Sequence, residues 1–140
     1  MTSKTFIAAL IGAIVSFILG YLIYGIALMN FMTTNAGSAT GVMKMDMGAT
    51  SMIYIFIGSL AGGLLLAYIF DKWANIRTAA GGAQAAALLG FLIILSFDAT
   101  MYGTTNIMNM TAMFVDIIAG TILYAISGAA IGWWLGRGSK

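Results

Sequence analysis

Two aspartates are the residues of this 140-residue chain that could do chemistry within a membrane. Asp116 lies inside a long apolar segment, and Asp98 lies at the end of the apolar segment before it. A carboxylate within a bilayer costs at least ~2.5–3.5 kcal/mol on insertion scales, so Asp116 should face the bundle interior or water, or be protonated. The polar outer cluster is the set of polar residues that we expect at nearly one depth: Asp98, Tyr102, Thr105, Asn106 and Asp116.

The chemistry open to the polar outer cluster is the binding of a proton or a cation, with Asp116 as the titrating group. The apolar segments contain no Lys or Arg that could pair with Asp116, which favours a protonated or cation-bound carboxyl. The structural alternative is a hydrogen-bonded cluster that caps two helices, because Asp98 near one helix end and Thr111 at the next helix start are ordinary terminal residues. The sequence leaves both interpretations open.

Methionine provides a second candidate site. The chain contains 11 methionines, and Met43, Met45 and Met47 form a Met-x-Met-x-Met run. Thioethers are soft ligands that suit Cu(I), and such runs resemble the Met motifs of copper transporters and copper-resistance proteins, which would handle Cu(I) or Ag(I). The absence of Cys and His argues against this metal site, and Met also fills irregular gaps between helices. We expect no bound cofactor.

The residue types that are missing exclude most enzyme chemistries. Without Cys and His the chain has no disulfide, thiol nucleophile, imidazole base or usual ligand set for zinc, haem or iron–sulfur clusters. Its glycine-rich stretches lack the strand and the Lys-Ser/Thr pair of a phosphate-binding loop. Six basic and four acidic residues, net charge +2, are too few and too scattered to bind nucleic acid. We therefore predict a protein that is not an enzyme and has no nucleic-acid partner.

The elements that must position these residues are transmembrane helices. The chain is 61% hydrophobic and 7% charged, where a soluble domain would have about a quarter charged residues. Four apolar segments approach or exceed the ~20 residues that cross a bilayer, at 5–29, 51–70, 79–97 and 111–136. No Pro interrupts them. The sequence predicts an all-α polytopic membrane protein, a single domain over 1–140 built as a bundle of four helices with the lipid bilayer around it.

The distribution of basic residues predicts the orientation. All basic residues except Lys44 fall at the N-terminus, in the second loop or at the C-terminus, which lie on one side of the membrane. They are Lys4, Lys72, Arg77, Arg137 and Lys140. The positive-inside rule then puts both termini and the second loop in the cytoplasm, and the first and third loops outside. Aromatic residues mark the two interfaces, with Trp73, Trp133 and Trp134 beside the cations and Tyr21, Tyr24 and Tyr102 at the outer ends.

Small residues at intervals of four or eight lie along every segment. Such residues share a helix face and let two backbones approach closely, which is how helices associate in lipid. The stripes could close the bundle of one chain, or some could face outward and bind another copy or another membrane subunit. The residues assigned to helix packing are Gly12, Ser16, Gly20, Gly58, Gly62, Gly90, Gly120, Gly128 and Gly132.

The first and third segments also match at a constant offset. Tyr24 and Gly25 correspond to Tyr102 and Gly103, and several Ala, Leu and Gly positions agree as well. A duplicated helical hairpin would explain the match, with a pseudo-two-fold axis along the membrane normal.

Two stretches resemble small bacterial membrane proteins of unknown function. The run FIAALIGAIVSFILGYLIYG is similar to the opening of one such four-helix family. YGTTNIMN with FVDIIAGTILYAISGAAIGW is similar to a second family, whose pattern falls here on Tyr102, Thr105, Asn106, Asp116, Gly120 and Thr121. The resemblance implies a four-helix topology, a recurring polar outer cluster and a location in the bacterial inner membrane. It implies no known activity.

Three functions follow as hypotheses. The first is a non-enzymatic accessory or assembly subunit that packs against copies of itself or other membrane subunits, motivated by the small-residue stripes. The second is a small transporter or channel for protons or cations built around Asp116. The third is a Met-rich protein that handles Cu(I) or Ag(I).

Overall fold

A computed structural model describes residues 2–42, 44 and 47–138 of the chain. Five α-helices account for most of this length: α1 (Ser3–Gly20), α2 (Met29–Thr34), α3 (Ala49–Tyr68), α4 (Ala79–Thr104) and α5 (Met110–Gly136). Two of them continue directly into π-helical segments, α1 into Tyr21–Ala27 and α3 into Ile69–Trp73. The Met43 and Met45 positions of the methionine run lie outside the described residues.

The predicted fold class is confirmed. The structure is 81% helix, and the described residues form no strand. Four helices are long and apolar enough to cross a bilayer, over Ser3–Ala27, Ala49–Trp73, Ala79–Thr104 and Met110–Gly136. Their lengths of 25 to 27 residues exceed the ~20 that a bilayer requires. The chain is a multi-pass membrane protein with a four-helix bundle.

The third spanning helix is longer than the sequence pattern indicates. We expect it to end at Phe97 because Asp98 begins a polar run, but α4 continues to Thr104. The hydroxyls of Thr100 and Thr104 donate to the carbonyls four residues earlier, at 2.8 and 2.7 Å. The threonines therefore satisfy their polar atoms within the helix instead of ending it. As a result Asp98 lies well inside a helix, not at its end.

The bundle is organised around α1 and α5. Helix α5 packs along α4, α1 packs along α3, and α1 and α5 pack on each other. A core of small and branched residues fills the half of the bundle near Ser3 and Gly136, including Ala9, Leu66 and Ile131. We call the end of the bundle that holds Ser3, Trp73, Ala79 and Gly136 the terminal face, and the other end the loop face.

Backbone contact holds α4 against α5. A Cβ atom added at Gly82 would clash with the carbonyl oxygen of Gly128, and one added at Gly128 would clash with Ala86. A Cβ at Gly132 would clash with the carbonyl of Thr78. On the other side of the bundle, Gly63 approaches the carbonyl of Ala9 equally closely. These glycines bring helix backbones together where lipid offers no hydrophobic drive for association.

We expect Gly128→Ala to destabilise the bundle by about 1–3 kcal/mol, because the added methyl group overpacks the α4–α5 contact. Gly103→Ala makes the same change on α4 where a Cβ meets nothing within 4 Å. This control should be neutral or stabilise by up to about 1 kcal/mol, since Ala favours the helix over Gly. Reversible unfolding in mixed detergent micelles measures both. Equal stabilities for the two variants would contradict the packing assignment.

Candidate functional site

The carboxyl groups of Asp98 and Asp116 lie level with each other in the bundle. Helices α4 and α5 run antiparallel and are joined by the short connection 105–109. Asp98 lies six residues before Thr104, and Asp116 lies six residues after Met110. At 1.5 Å per residue both are about 9 Å inside the helix ends of the loop face. The antiparallel hairpin therefore sets the two side chains at one depth.

The two carboxyl groups form a pair in which Asp98 is buried and Asp116 is half-buried. The side chain of Asp98 is within hydrogen-bonding reach of Asp116. Asp98 is only 3% exposed, and its Oδ2 atom has no hydrogen-bond partner among the described residues. The two ion pairs found in the described part of the chain both use Asp71, at the terminal face. The pair thus has no basic side chain as an ion-pair partner among the described residues.

Tyr24 completes this group from the first spanning helix. It lies in the π-helical segment Tyr21–Ala27, and its hydroxyl lies close to the Asp116 carboxyl. Gly120 lies one turn after Asp116, and a Cβ there would be in ordinary contact with the Tyr24 hydroxyl, at 3.5 Å, so Tyr24 packs against this part of α5. We call Asp98, Asp116 and Tyr24 the carboxyl site. The sequence suggested Tyr24 only as an interfacial aromatic residue, and nothing in its spacing indicated this contact.

The other members of the polar outer cluster have separate environments. Tyr102 is 40% exposed on α4. Thr105 ends α4, and its hydroxyl donates to the carbonyl of Met101 at 2.7 Å. Asn106 is exposed in the connection to α5, where its backbone carbonyl accepts a hydrogen bond from the Ala39 amide at 2.9 Å. These three residues lie at the loop face, whereas Asp98 and Asp116 lie deeper.

The loops at the loop face are joined to each other above the carboxyl site. The backbones of Ala36 and Met108 form an isolated antiparallel bridge, and the amide of Gly37 donates to the carbonyl of Ile107 at 2.9 Å. The side-chain amide of Asn109 donates to Asn35 at 3.1 Å while its oxygen caps α5. Because these bonds link residues 35–39 to 106–109, the connection after α2 covers the hairpin of α4 and α5.

The packing residues divide into two groups. Gly12, Gly90, Gly120, Gly128 and Gly132 lie against a neighbouring helix of the same chain, and a Cβ at any of them would meet its atoms within 3 Å.

Gly20, Gly58 and Gly62 are less crowded, and a Cβ at Gly58 would meet nothing within 4 Å. The hydroxyls of Ser16 and Ser127 hydrogen bond at 2.8 Å, which joins α1 to α5.

A polar cluster at the terminal face was not singled out from the sequence. Asp71 accepts a hydrogen bond from the buried Thr5 hydroxyl at 2.6 Å and from Arg77 at 2.8 Å, and Lys72 lies 3.2 Å away. Thr5 and Asp71 are 66 positions apart, and nothing in their sequence context indicates this pairing. The cluster links the start of α1 to the end of the second spanning helix, so we assign it a structural role.

Metal ligands are sparse in the described residues. No group of three or more Asp or Glu side chains there could hold a metal ion. Met47 is 45% exposed just before α3, and Met43 and Met45 lie outside the described residues. The Cu(I) hypothesis therefore stays a prediction from the sequence.

Comparison with protein-family models, with curated proteins and with solved structures gives no match for this chain. The resemblance to small bacterial membrane proteins thus also stays a prediction.

Proposed function

We propose that this protein is a small transporter or channel for protons or cations, with the carboxyl site as its ion-binding site. The observation that carries the proposal is the pairing of Asp98 with Asp116 between two spanning helices, with no basic ion-pair partner among the described residues. Ionisable residues inside a membrane are costly, and they are common in ion pathways and proton relays.

Electrostatics support ion binding at this pair. Two like charges 4 Å apart repel by about 4 kcal/mol even at an effective dielectric constant of 20. Two carboxylates in contact therefore favour holding one proton or one cation between their oxygens. The Tyr24 hydroxyl can donate a hydrogen bond to Asp116 in either state, because a phenol can both donate and accept. A site that binds and releases one charge within the membrane is what ion transport needs.

We place the protein in the bacterial inner membrane with both termini in the cytoplasm. The basic residues Lys4, Lys72, Arg77 and Arg137 belong to the terminal face, which supports this orientation under the positive-inside rule. The carboxyl site then lies close to the outer surface, below the joined loops. An ion would reach it from outside over a short distance and would cross most of the bilayer on the cytoplasmic side.

Single cysteines test the orientation, since the chain has no native Cys. Ser38→Cys and Ala74→Cys both change exposed residues, one at the loop face and one at the terminal face. A membrane-impermeant maleimide should label Ser38→Cys in intact cells, and Ala74→Cys only after permeabilisation. The reverse pattern would overturn the orientation.

Proton flux in liposomes tests the transport proposal. Purified protein is reconstituted with a pH-sensitive dye inside the vesicles, and a valinomycin-induced potassium potential drives proton entry. We expect the wild-type rate to exceed that of empty vesicles and Asp116→Asn to lower it at least tenfold, because the amide cannot exchange a proton. Asp46→Asn makes the same chemical change at a position outside the four apolar segments of the sequence, and outside the described residues, and should leave the rate unchanged.

Folding is controlled separately in this experiment. Tyr24→Phe keeps the aromatic ring and removes only the hydroxyl that reaches Asp116, so it should lower the rate by a smaller factor. Size-exclusion profiles and circular dichroism must match the wild type for each variant. A wild-type rate equal to that of empty vesicles, or an unchanged rate in Asp116→Asn, would refute proton transport through the carboxyl site. The same result with a sodium-sensitive dye and a sodium gradient would refute cation transport as well.

An accessory or assembly subunit is the second candidate function. The observation in its favour is the exposed α3 surface around Gly58, where a Cβ meets nothing, together with Ile53 and Ile57, which are 59% and 52% exposed. A second copy or another subunit could pack its helix closely there.

Cysteine crosslinking tests this second candidate. Gly58→Cys should form disulfide-linked dimers in native membranes if α3 packs against a second copy. Ile118→Cys on α5, which is 61% exposed, is the control on another lipid-facing surface. Equal crosslinking of both variants would indicate random collision and count against a specific interface.

A further inference from the structure

A cavity adjoins the carboxyl site on the side of α3. Its volume is about 240 Å³, and it lies between α1, α3 and α5. Tyr24 belongs to its wall and also reaches Asp116, so one side chain separates the cavity from the carboxyl pair. Further lining residues include Ser16, Phe17, Ser59, Tyr124 and Ser127.

The cavity exists because α3 packs closely against α1 and is separated from α5. Gly63 makes the close approach to α1 near the terminal face. Toward the loop face, a Cβ at Gly62 would meet only the Tyr124 hydroxyl, at 3.9 Å, and Gly58 faces open space. Gly58 and Ile55 line the cavity and are exposed on the bundle surface, so the opening faces the surrounding lipid.

The walls combine aromatic rings with a few hydroxyl groups. The aromatic rings in the wall are those of Phe17, Tyr24 and Tyr124, and no lining residue carries a charge. The hydroxyls of Ser16 and Ser127 bond to each other, and Ser59 donates to its own helix at Ile55. A predominantly apolar pocket with a few convergent polar groups is typical of small-molecule sites. An apolar cavity of about 150 Å³ accepts benzene, so this one has room for a ring with a short substituent.

We propose that this cavity binds small lipophilic amines, such as one aromatic ring with a short aminoalkyl chain, in exchange for the proton of the carboxyl site. The ring would lie among the aromatic side chains, and the ammonium group would lie against Tyr24. Two physical effects favour a cation over a neutral molecule. Aromatic faces attract ammonium groups, and the carboxyl pair behind Tyr24 has no basic ion-pair partner among the described residues.

The exchange keeps the charge of the site constant. An ammonium ion enters from the lipid interface as the shared proton leaves Asp98 and Asp116 for the aqueous side, and no covalent bond is made in the amine. This inference rests on the proposed function, because it names the substrate class of the same ion-binding site. In this exchange the Tyr24 hydroxyl has a second role, because it lies next to both the carboxyl pair and the bound amine.

Binding of 2-phenylethylamine tests the inference, with 2-phenylethanol as the neutral analogue of similar size and shape. Equilibrium dialysis of the detergent-solubilised full chain measures affinity, and a weakly buffered solution with a pH electrode measures released protons. We expect the amine to bind at least tenfold more tightly than the alcohol and to release about one proton per molecule bound. Asp116→Asn should bind the amine at least tenfold more weakly and release none.

Variants that fill the cavity provide the structural control. Gly62→Leu puts a side chain into the cavity, while Gly103→Leu makes the same change on α4 where a Cβ meets nothing within 4 Å. Gly62→Leu should weaken amine binding at least tenfold and Gly103→Leu should leave it unchanged. Equal binding of the amine and the alcohol, no binding of either, or full binding by Gly62→Leu would each overturn the inference. If proton flux still depends on Asp116 in that case, only the substrate class is wrong and the proposed function stands.

Discussion

The close backbone contact between α4 and α5 is the constraint on which the carboxyl site depends. Gly82, Gly128 and Gly132 let the two helices meet without side chains between them, and this contact sets their relative height. The short connection 105–109 sets the same height from the other end of the hairpin. With both ends fixed, Asp98 and Asp116 have to lie level with each other. A change of one helical turn in either helix would separate them by about 5.4 Å.

The rigid contact between α4 and α5 keeps two carboxyl groups next to each other. Burying Asp98 beside Asp116 is unfavourable on its own, and the backbone contact at the other end of the hairpin keeps the two from moving apart. The first spanning helix adds Tyr24 through a π-helical segment, a feature that is common at functional sites. The cavity between α1, α3 and α5 lies on the other side of that tyrosine. The acidic pair, the Tyr24 hydroxyl and the cavity thus follow one another across the bundle.

The parts of this structure that hydropathy controls were predictable, and the parts set by tertiary contact were not. Four spanning helices follow from apolar segments of sufficient length, and the level placement of Asp98 and Asp116 follows from a hairpin. The helix end after Phe97 was missed because Thr100 and Thr104 bond within the helix. The role of Tyr24 was missed because a π-helical segment turns its side chains away from the periodicity of an α-helix. On α3, Gly62 and Gly63 are adjacent, and only packing decides that Gly63 meets α1.

Infrared spectroscopy of the protein in lipid tests whether the carboxyl pair holds a proton, because the carbonyl stretch of a protonated carboxyl group is separate from that of a carboxylate. The measurement compares the wild type with the double variant Asp98→Asn/Asp116→Asn at neutral pH, in membranes washed free of sodium and potassium. We expect a protonated-carboxyl band in the wild type, of intensity equal to one group per chain, that is absent from the double variant. Identical spectra in that region would mean that the pair holds no proton and would overturn the proposed ion-binding site.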